Sequence, residues 1–452
     1  MQHHDLLKGA SLRKLLAKGA IGALLVQGVG ALLVLLADVF LARLLGVSQF
    51  GLYSEVMAWM FMFVLFGTLG FNHALLRYVP TYIAHHAWAD LRGILKRSST
   101  WTALASLAMV IVILLSLGVF RSSDAIFVAV AIALVGLPFQ VLAGLRQATL
   151  RGLHQTVRAL TPELIIRPAA LLMLLGVVAA FWESFGAAQA IFLNLVAVLL
   201  AFMVGVVWQR RYLPGEVAGA EAVYHDREWF AVAWPLLVLV CLQALESSRT
   251  DIMLLGLLVN EKAAGIYAAA NRLAEIILMI IASANAVAAS LMARLHATGE
   301  RQELQQLVSM ATAGVLLAAL PISVLLVIFG HDILRLFGTE FVSGYLPLTI
   351  LLAAQLVVAM AGSVMLLLTL TGHQSEAAIH MAWGVVLKLI LSLVLIPNYG
   401  MMGAAVATFC GALLWNIRML QLVRRTVGVD PSVIQVLRML WHPKSVAGAG
   451  SE

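Results

Sequence analysis

The stretch CLQALESSRTDIMLL, residues 241–255, holds Glu246, Arg249 and Asp251 within six positions of an otherwise apolar run. Glu246 and Arg249 are three apart, as are Gln243 and Glu246, a spacing that shares one helical face. An ionisable side chain near a bilayer centre costs about 2.5–3.5 kcal/mol on insertion scales. Groups kept there either line a wet cavity, where they meet an anion, a sugar hydroxyl or an ion, or pin helices together. Three charges so close exceed what pinning needs, and the cavity reading is preferred. The next apolar run carries Asn271, Arg272, Glu275 and Asn285, with Arg272 and Glu275 again three apart. Elsewhere stand Gln27 and Asp38, Asn194, Gln355, Asn416, and Lys388 with no charged partner in its own run. Glu163 and Arg167, at i,i+4 near a polar end, read as a local ion pair.

The elements that hold these groups follow from composition. Hydrophobic residues are 62% of the 452 and charged residues 11%, with a mean hydropathy of +0.98. A soluble domain carries about 25% charged residues, so this chain cannot cover a water-facing surface. It reads as an all-α polytopic membrane protein, because backbone groups in lipid must be satisfied within each segment. Apolar runs of roughly 20 residues, the length that crosses about 30 Å of hydrocarbon, recur about twelve times.

Basic residues orient the runs, since cytoplasmic loops gather Lys and Arg. One side collects Lys8, Arg13, Lys14, Lys18, Arg77, Arg92, Lys96, Arg97, Arg146, Arg151, Arg158, Arg210, Arg211, Arg424, Arg425 and Lys444, among others. The other side shows only Arg43, Arg121, Lys262 and Arg335. Both termini are expected in the cytoplasm. The net charge of +7 then faces anionic lipid heads and needs no nucleic acid. The expected layout is a basic segment 1–18, a first lobe of six helices 19–209, a cytoplasmic linker 210–228, a second lobe of six helices 229–423, and a tail 424–452.

Two lobes are expected because the chain repeats itself. LARLLGVSQFGLYSEV (41–56) is echoed about 213 residues later by LLGLLVNEKAAGIYAA (254–269), and Asp38 precedes the first Gly-x-Tyr as Asp251 precedes the second. LRGLHQTVRA is echoed by LTLTGHQSEAA, and FGAAQAIFLNLVAVLL by MGAAVATFCGALLWNI. An even number of spans per half makes these parallel repeats about an axis along the membrane normal, an arrangement found in transporters. Prolines 138, 162, 168, 235 and 321 fall within or beside spans and are expected to bend them. There is no GxxxxGK[ST], HExxH, GxSxG or paired-cysteine motif, so neither an ATP cradle, a metal nor an enzyme's nucleophile is expected.

ARLLGVSQFGLYS, the following GTLGFNHALLRYVPTYIAHHAWADLRGIL, and DIMLLGLLVNEKAAGIYAAANRL resemble the starts of the two halves of polysaccharide flippases, the Wzx-type carriers of O-antigen or exopolysaccharide repeat units. The resemblance spans about Lys14 to Arg425. It implies a fold shared with MATE exporters and lipid II flippases: two six-helix lobes in a V around a polar cavity, opened to either side in turn. It implies as cargo a polyprenyl-pyrophosphate-linked oligosaccharide, moved across the inner membrane, with a polymerase or other glycan-export proteins as partners. On that reading Arg249, Arg272, Lys388, Arg77 and Arg146 would meet the pyrophosphate or acidic sugars. Glu246, Asp251, Asp38 and Glu275 would carry a coupling proton or sodium ion, or hold sugar hydroxyls. No other cofactor is implied. The alternatives are a MATE-like exporter of organic cations and, third, a membrane glycan polymerase or ligase. One departure stands out: Arg77-Tyr-Val-Pro80 is matched in the second half only by residues 290–294, SLMAR, which implies an asymmetric inner gate.

Overall fold

The computed structural model describes residues 2–119, 124–181 and 185–441; Arg121, Lys444 and the rest of the tail beyond Trp441 lie outside them. The chain is an all-α multi-pass membrane protein, with no strand among the described residues. It divides into two compact units, Met1–Ala244 and Leu245–Glu452.

In unit 1, α1 (Gln2–Gly67) is followed by α2 (Phe71–Ala84), α3 (Trp88–Val119), α4 (Asp124–Val135), α5 (Leu137–Gly152) and α6 (Thr156–Thr161). A π-helical turn, Pro162–Ile166, leads into α7 (Arg167–Phe181), and α8 (Ala187–Tyr212) comes next. The short α9 (Glu216–Gly219) and α10 (Asp226–Glu246) complete the unit, with the division between units falling near the end of α10. Unit 2 holds α11 (Ser248–Leu258), α12 (Glu261–Ala297), α13 (Arg301–Ile328), α14 (Gly330–Phe337), α15 (Tyr345–Ala361), α16 (Val364–Leu370), α17 (Gln374–Thr426) and α18 (Val433–Trp441).

Among the described residues, ten helices are long and apolar enough to cross a membrane. Two are far longer than one crossing needs: the apolar parts of α1 and α17 run for 46 and 53 residues. At 1.5 Å per residue each exceeds twice the roughly 30 Å of hydrocarbon. Each is also broken at a glycine, Gly46 (φ 69°, ψ 173°) and Gly400 (φ 54°, ψ −130°). The difference between ten helices and about twelve apolar runs therefore lies at these two kinks. Positive φ strains any residue with a Cβ, which is why glycine stands at both.

The repeated motif is a real corner. In the first copy the helix breaks at Gly46, directly after Leu44-Leu45; in the second it breaks after Leu257-Leu258, at Val259 and Asn260. The Asn260 side chain accepts from the Ala263 N–H at 2.8 Å and caps α12. The first apolar run of the second lobe is interrupted: α10 stops at Glu246, Ser247 is extended, and α11 restarts at Ser248. Of the prolines, Pro162 opens the π-helical turn, Pro138 sits in the first turn of α5, and Pro235 and Pro321 lie inside helices.

Packing follows the rule for helices in lipid, where tails are as apolar as leucine and close approach of small residues does the joining. Outward on α3 and α13 stand Ile111, Val112, Leu115, Met310, Leu317 and Ile328, all exposed, while Ala74, Ala190, Ala197, Ala319 and Ala404 are buried. The segment after α8 is fastened to unit 1. Arg97 pairs with Asp226 at 2.6 Å, Tyr78 donates to Glu228 at 3.0 Å, and Trp229 donates to Tyr82 at 3.0 Å. Gly93 makes this possible, since a Cβ there would meet Val223 O at 1.7 Å.

Candidate functional site

Each unit has a polar interior at a place where a helix departs from regular geometry. In unit 1 the departure is the π-helical turn Pro162–Ile166, which carries Glu163 and delivers Arg167. Such a turn inserts a residue into the helical ladder and re-aims the side chains beside it. Gly30 of α1 accommodates it, because a Cβ at that position would lie 2.7 Å from Leu164 O. Arg167 reaches Glu163 at 3.4 Å and Asn194 Oδ1 at 3.3 Å, from both Nε and Nη2.

Arg146, on α5, lies 3.8 Å from the Phe202 ring centroid, a cation–π contact. Its Nη1 and the Glu163 Oε1 are buried with no hydrogen-bond partner among the described residues. Arg146, Gln147, Pro162, Glu163 and Phe202 line one small cleft. This interior thus sets two guanidinium groups against one carboxylate, with hydrogen-bonding capacity unspent on both signs.

In unit 2 the departure is the break at Ser247, and the charges around it are closed on one another. Lys388 and Asp251 are both 0% exposed, with Nζ 3.2 Å from Oδ2. Tyr267 and Thr408 donate to the same carboxylate oxygen at 3.1 and 2.7 Å. Trp415 donates to Glu246 Oε1 at 3.0 Å. Glycines let the two halves of α17 meet closely enough to seal this: a Cβ on Gly411 would lie 2.9 Å from Lys388 Cβ, and one on Gly384 would lie 2.7 Å from Trp415 Cβ.

The structure therefore brings Glu246, Asp251 and Lys388 together. The Lys388 that had no partner in its own run finds one on α11 and neither snorkels nor meets solvent. Glu246 and Arg249 do not share one continuous helix, because the break separates them, and Arg249 stands half-buried in the first turn of α11. Arg272 pairs with Glu275 on its own helix at 2.7 Å, and Asn271 donates to Glu275 at 2.9 Å; the pair is 30% and 32% exposed. Asp38 is half-buried in α1. Arg77 is exposed on α2 with its guanidinium 5.7 Å from the Tyr78 ring.

Arg77, Arg146 and Asp38 belong to unit 1 and the remaining candidates to unit 2. Sequence reasoning missed Thr408 and Trp415 as holders of the two acids. The available signal was a hydroxyl and an indole in the apolar run that also contains Asn416.

Solved structures with the same fold include an inward-facing MATE family multidrug resistance transporter of the MOP superfamily (TM-score 0.70, 14% identity, 96% of this chain and all of that one). The lipid II flippase MurJ in an inward closed conformation is also similar (TM-score 0.70, 15% identity, 95% and 93%). A MOP superfamily transporter from Pyrococcus furiosus, described as having a binding pocket of reverse polarity, aligns at TM-score 0.62 and 14% identity over 92% of this chain and 96% of its own. Identities this low establish the fold and no more. No curated protein matches in sequence. The MatE family model matches residues 235–394. The model described as "Polysaccharide biosynthesis protein" matches residues 16–296, more than half of the sequence, and the chain belongs to that family.

Proposed function

We propose that the protein carries a polyprenyl-pyrophosphate-linked oligosaccharide from the cytoplasmic to the outer leaflet of the inner membrane, by alternating access and without covalent change to its cargo. Family membership supports a role in polysaccharide assembly. The observation that carries the choice of cargo is the interior of unit 1, where Arg146 and Arg167 outnumber Glu163 and one guanidinium nitrogen is left without an acceptor. Stripping water from sugar hydroxyls costs several kcal/mol for each one left unpaired, and a pyrophosphate costs more. A polar surface rich in guanidinium groups offsets both, since their forked donors match phosphate oxygens.

Arg146 and Arg167 are assigned to the anionic headgroup, with Arg249, Arg272 and Arg77 as further contacts. Glu246, Asp38 and Glu275 are assigned to sugar hydroxyls or to a coupling proton or sodium ion. Lys388 and Asp251 pair with each other with no exposed surface and are left out of the cargo path. Other glycan-assembly proteins, a polymerase among them, would receive the product.

The second reading, export of organic cations, draws on the MatE match over residues 235–394, a region that contains Glu246. The two separate in proteoliposomes. A fluorescent lipid-linked oligosaccharide should become accessible to a membrane-impermeant quencher with the parent protein, and a cationic dye should not accumulate. Arg146→Ala and Arg167→Ala should each slow flipping about tenfold or more, the kinetic counterpart of losing one charge-assisted contact. Dye transport at parent rate in both variants, with no flipping by the parent, would favour the cation exporter instead.

A further inference from the structure

One ammonium group in unit 2 has all three of its N–H bonds accounted for. Lys388 Nζ lies 2.6 Å from Glu246 O, 3.1 Å from Ser247 O and 3.2 Å from Asp251 Oδ2. Three donors meet three acceptors, as an ammonium requires; a neutral amine would offer two and turn its lone pair on an oxygen. The acceptors are of a particular kind. Glu246 ends α10 and Ser247 separates it from α11, so their carbonyls are among those that a helix C-terminus leaves without partners and makes negative. The first turn of α11 supplies the carboxylate across from them.

Freed carbonyls and one carboxylate at a break in a membrane helix make a hard-oxygen cage around the ammonium, with the Glu246 carboxylate as a second negative group within Coulombic reach. That is the donor set of a small monovalent cation. Two details show that the cage is built around its occupant. Asp251 Oδ2 is held from behind by Tyr267 and Thr408, while Oδ1, also buried, has no hydrogen-bond partner among the described residues. The lysine stem passes close to Gly411, where a Cβ would lie 2.9 Å from Lys388 Cβ.

We infer that unit 2 contains a monovalent-cation site whose permanent occupant is the Lys388 ammonium, tethered to α17, and that shortening this side chain opens the site to a free cation. The parent protein then needs no ion from solution at this place. The inference does not depend on what the protein transports, and its test involves no cargo.

The test is the thermal unfolding midpoint of the purified protein in nanodiscs, in sodium, potassium or choline chloride at equal ionic strength. The parent should melt at one temperature in all three. Lys388→Ala should melt lower in choline and recover by about 5 °C in sodium or potassium at a hundred times the dissociation constant. Methylammonium should act like the metal ions. Lys388→Gln, which keeps much of the stem, should respond in the same way if the alanine variant does not accumulate. Adding Asp251→Asn to either variant should abolish the response. A folded Lys388→Ala or Lys388→Gln protein indifferent to every cation overturns the proposal. So does a sodium-specific rise in the parent that Asp251→Asn removes.

Discussion

In unit 1 the corner after Leu44-Leu45 is turned by Gly46 at positive φ; in unit 2 the matching corner after Leu257-Leu258 is turned by Val259 and a capping Asn260. The repeated element is thus kept with different residues, while the interiors diverge. Unit 1 places its irregularity in the helix after Thr161, where a π-helical turn presents Glu163 and Arg167. In unit 2 that helix is α17, regular from Gln374 up to Gly400 and carrying Lys388, and the irregularity has moved to Ser247. Where unit 2 has Lys388, some fifteen residues beyond the GHQ of its repeat, unit 1 has the small residues Ala169 and Ala170.

The outcome is two interiors of opposite finish. Unit 2 closes its lysine and aspartate on each other with no exposed surface, only Asp251 Oδ1 of the pair lacking a partner, whereas unit 1 leaves atoms of both a guanidinium and a carboxylate unsatisfied beside a cleft. A sealed pair defines geometry; an unsatisfied one offers contacts to something else. Duplication supplied the frame, and placing the irregular turn on different helices divided the labour.

The largest effect should come from breaking the sealed pair. Asp251→Ala leaves the buried Lys388 ammonium without its directly bonded carboxylate, a loss that typically costs about 3–5 kcal/mol. Lys388→Met combined with Asp251→Leu should recover most of that loss, since an apolar pair of similar volume replaces two desolvated charges. Chemical unfolding of the detergent-solubilised protein measures both. If the double variant is as unstable as Asp251→Ala, the pair holds the unit together by its hydrogen bonds to Tyr267 and Thr408, and not by charge balance.

A middle-sized effect should follow from filling the close approaches that frame each interior. Gly411→Ala pushes a methyl group against Lys388 Cβ, and Gly30→Ala pushes one against Leu164 O of the π-helical turn. Overpacking of this kind costs about 1–3 kcal/mol. The two should separate in function: Gly411→Ala lowers stability and leaves flipping per folded molecule near the parent rate, while Gly30→Ala lowers flipping more than its stability loss accounts for. Equal functional losses would erase the distinction between the units.

How much of this was readable without coordinates depends on range. The membrane class followed from the scarcity of charge, and the paired corners from two Gly-x-Tyr strings, because composition and repetition need no knowledge of contacts. The Arg272–Glu275 pair was visible for the same reason, being one turn apart. Lys388 was not readable as the partner of Asp251, because periodicity speaks only within a helix and these two lie on α17 and α11. The break at Ser247 was hidden too: ALESSRT contains neither glycine nor proline, and its carbonyls are freed by a partner that the local sequence does not show. The breaks at Gly46 and Gly400 were readable, since polar and glycine-bearing stretches divide both long helices into separate apolar runs.

The smallest effect is the most discriminating. Glu163→Gln removes the carboxylate from the interior of unit 1 and keeps its shape. Its bridge to Arg167 is long at 3.4 Å and the two side chains are 23% and 26% exposed, so the pair should contribute no more than about 1 kcal/mol. Arg167 retains Asn194, and the melting midpoint should stay within about 3 °C of the parent. Flipping of an anionic lipid-linked sugar should persist, with apparent affinity unchanged or tighter, because two guanidinium groups then face the headgroup with no competing carboxylate. Asp251→Asn, the same change of a carboxylate to its amide in unit 2, should cost several times more in stability, because it takes the directly bonded charge from a fully buried ammonium. Should the two substitutions cost the same, the interior of unit 1 is as closed as that of unit 2, and the cargo contacts must be sought on other residues.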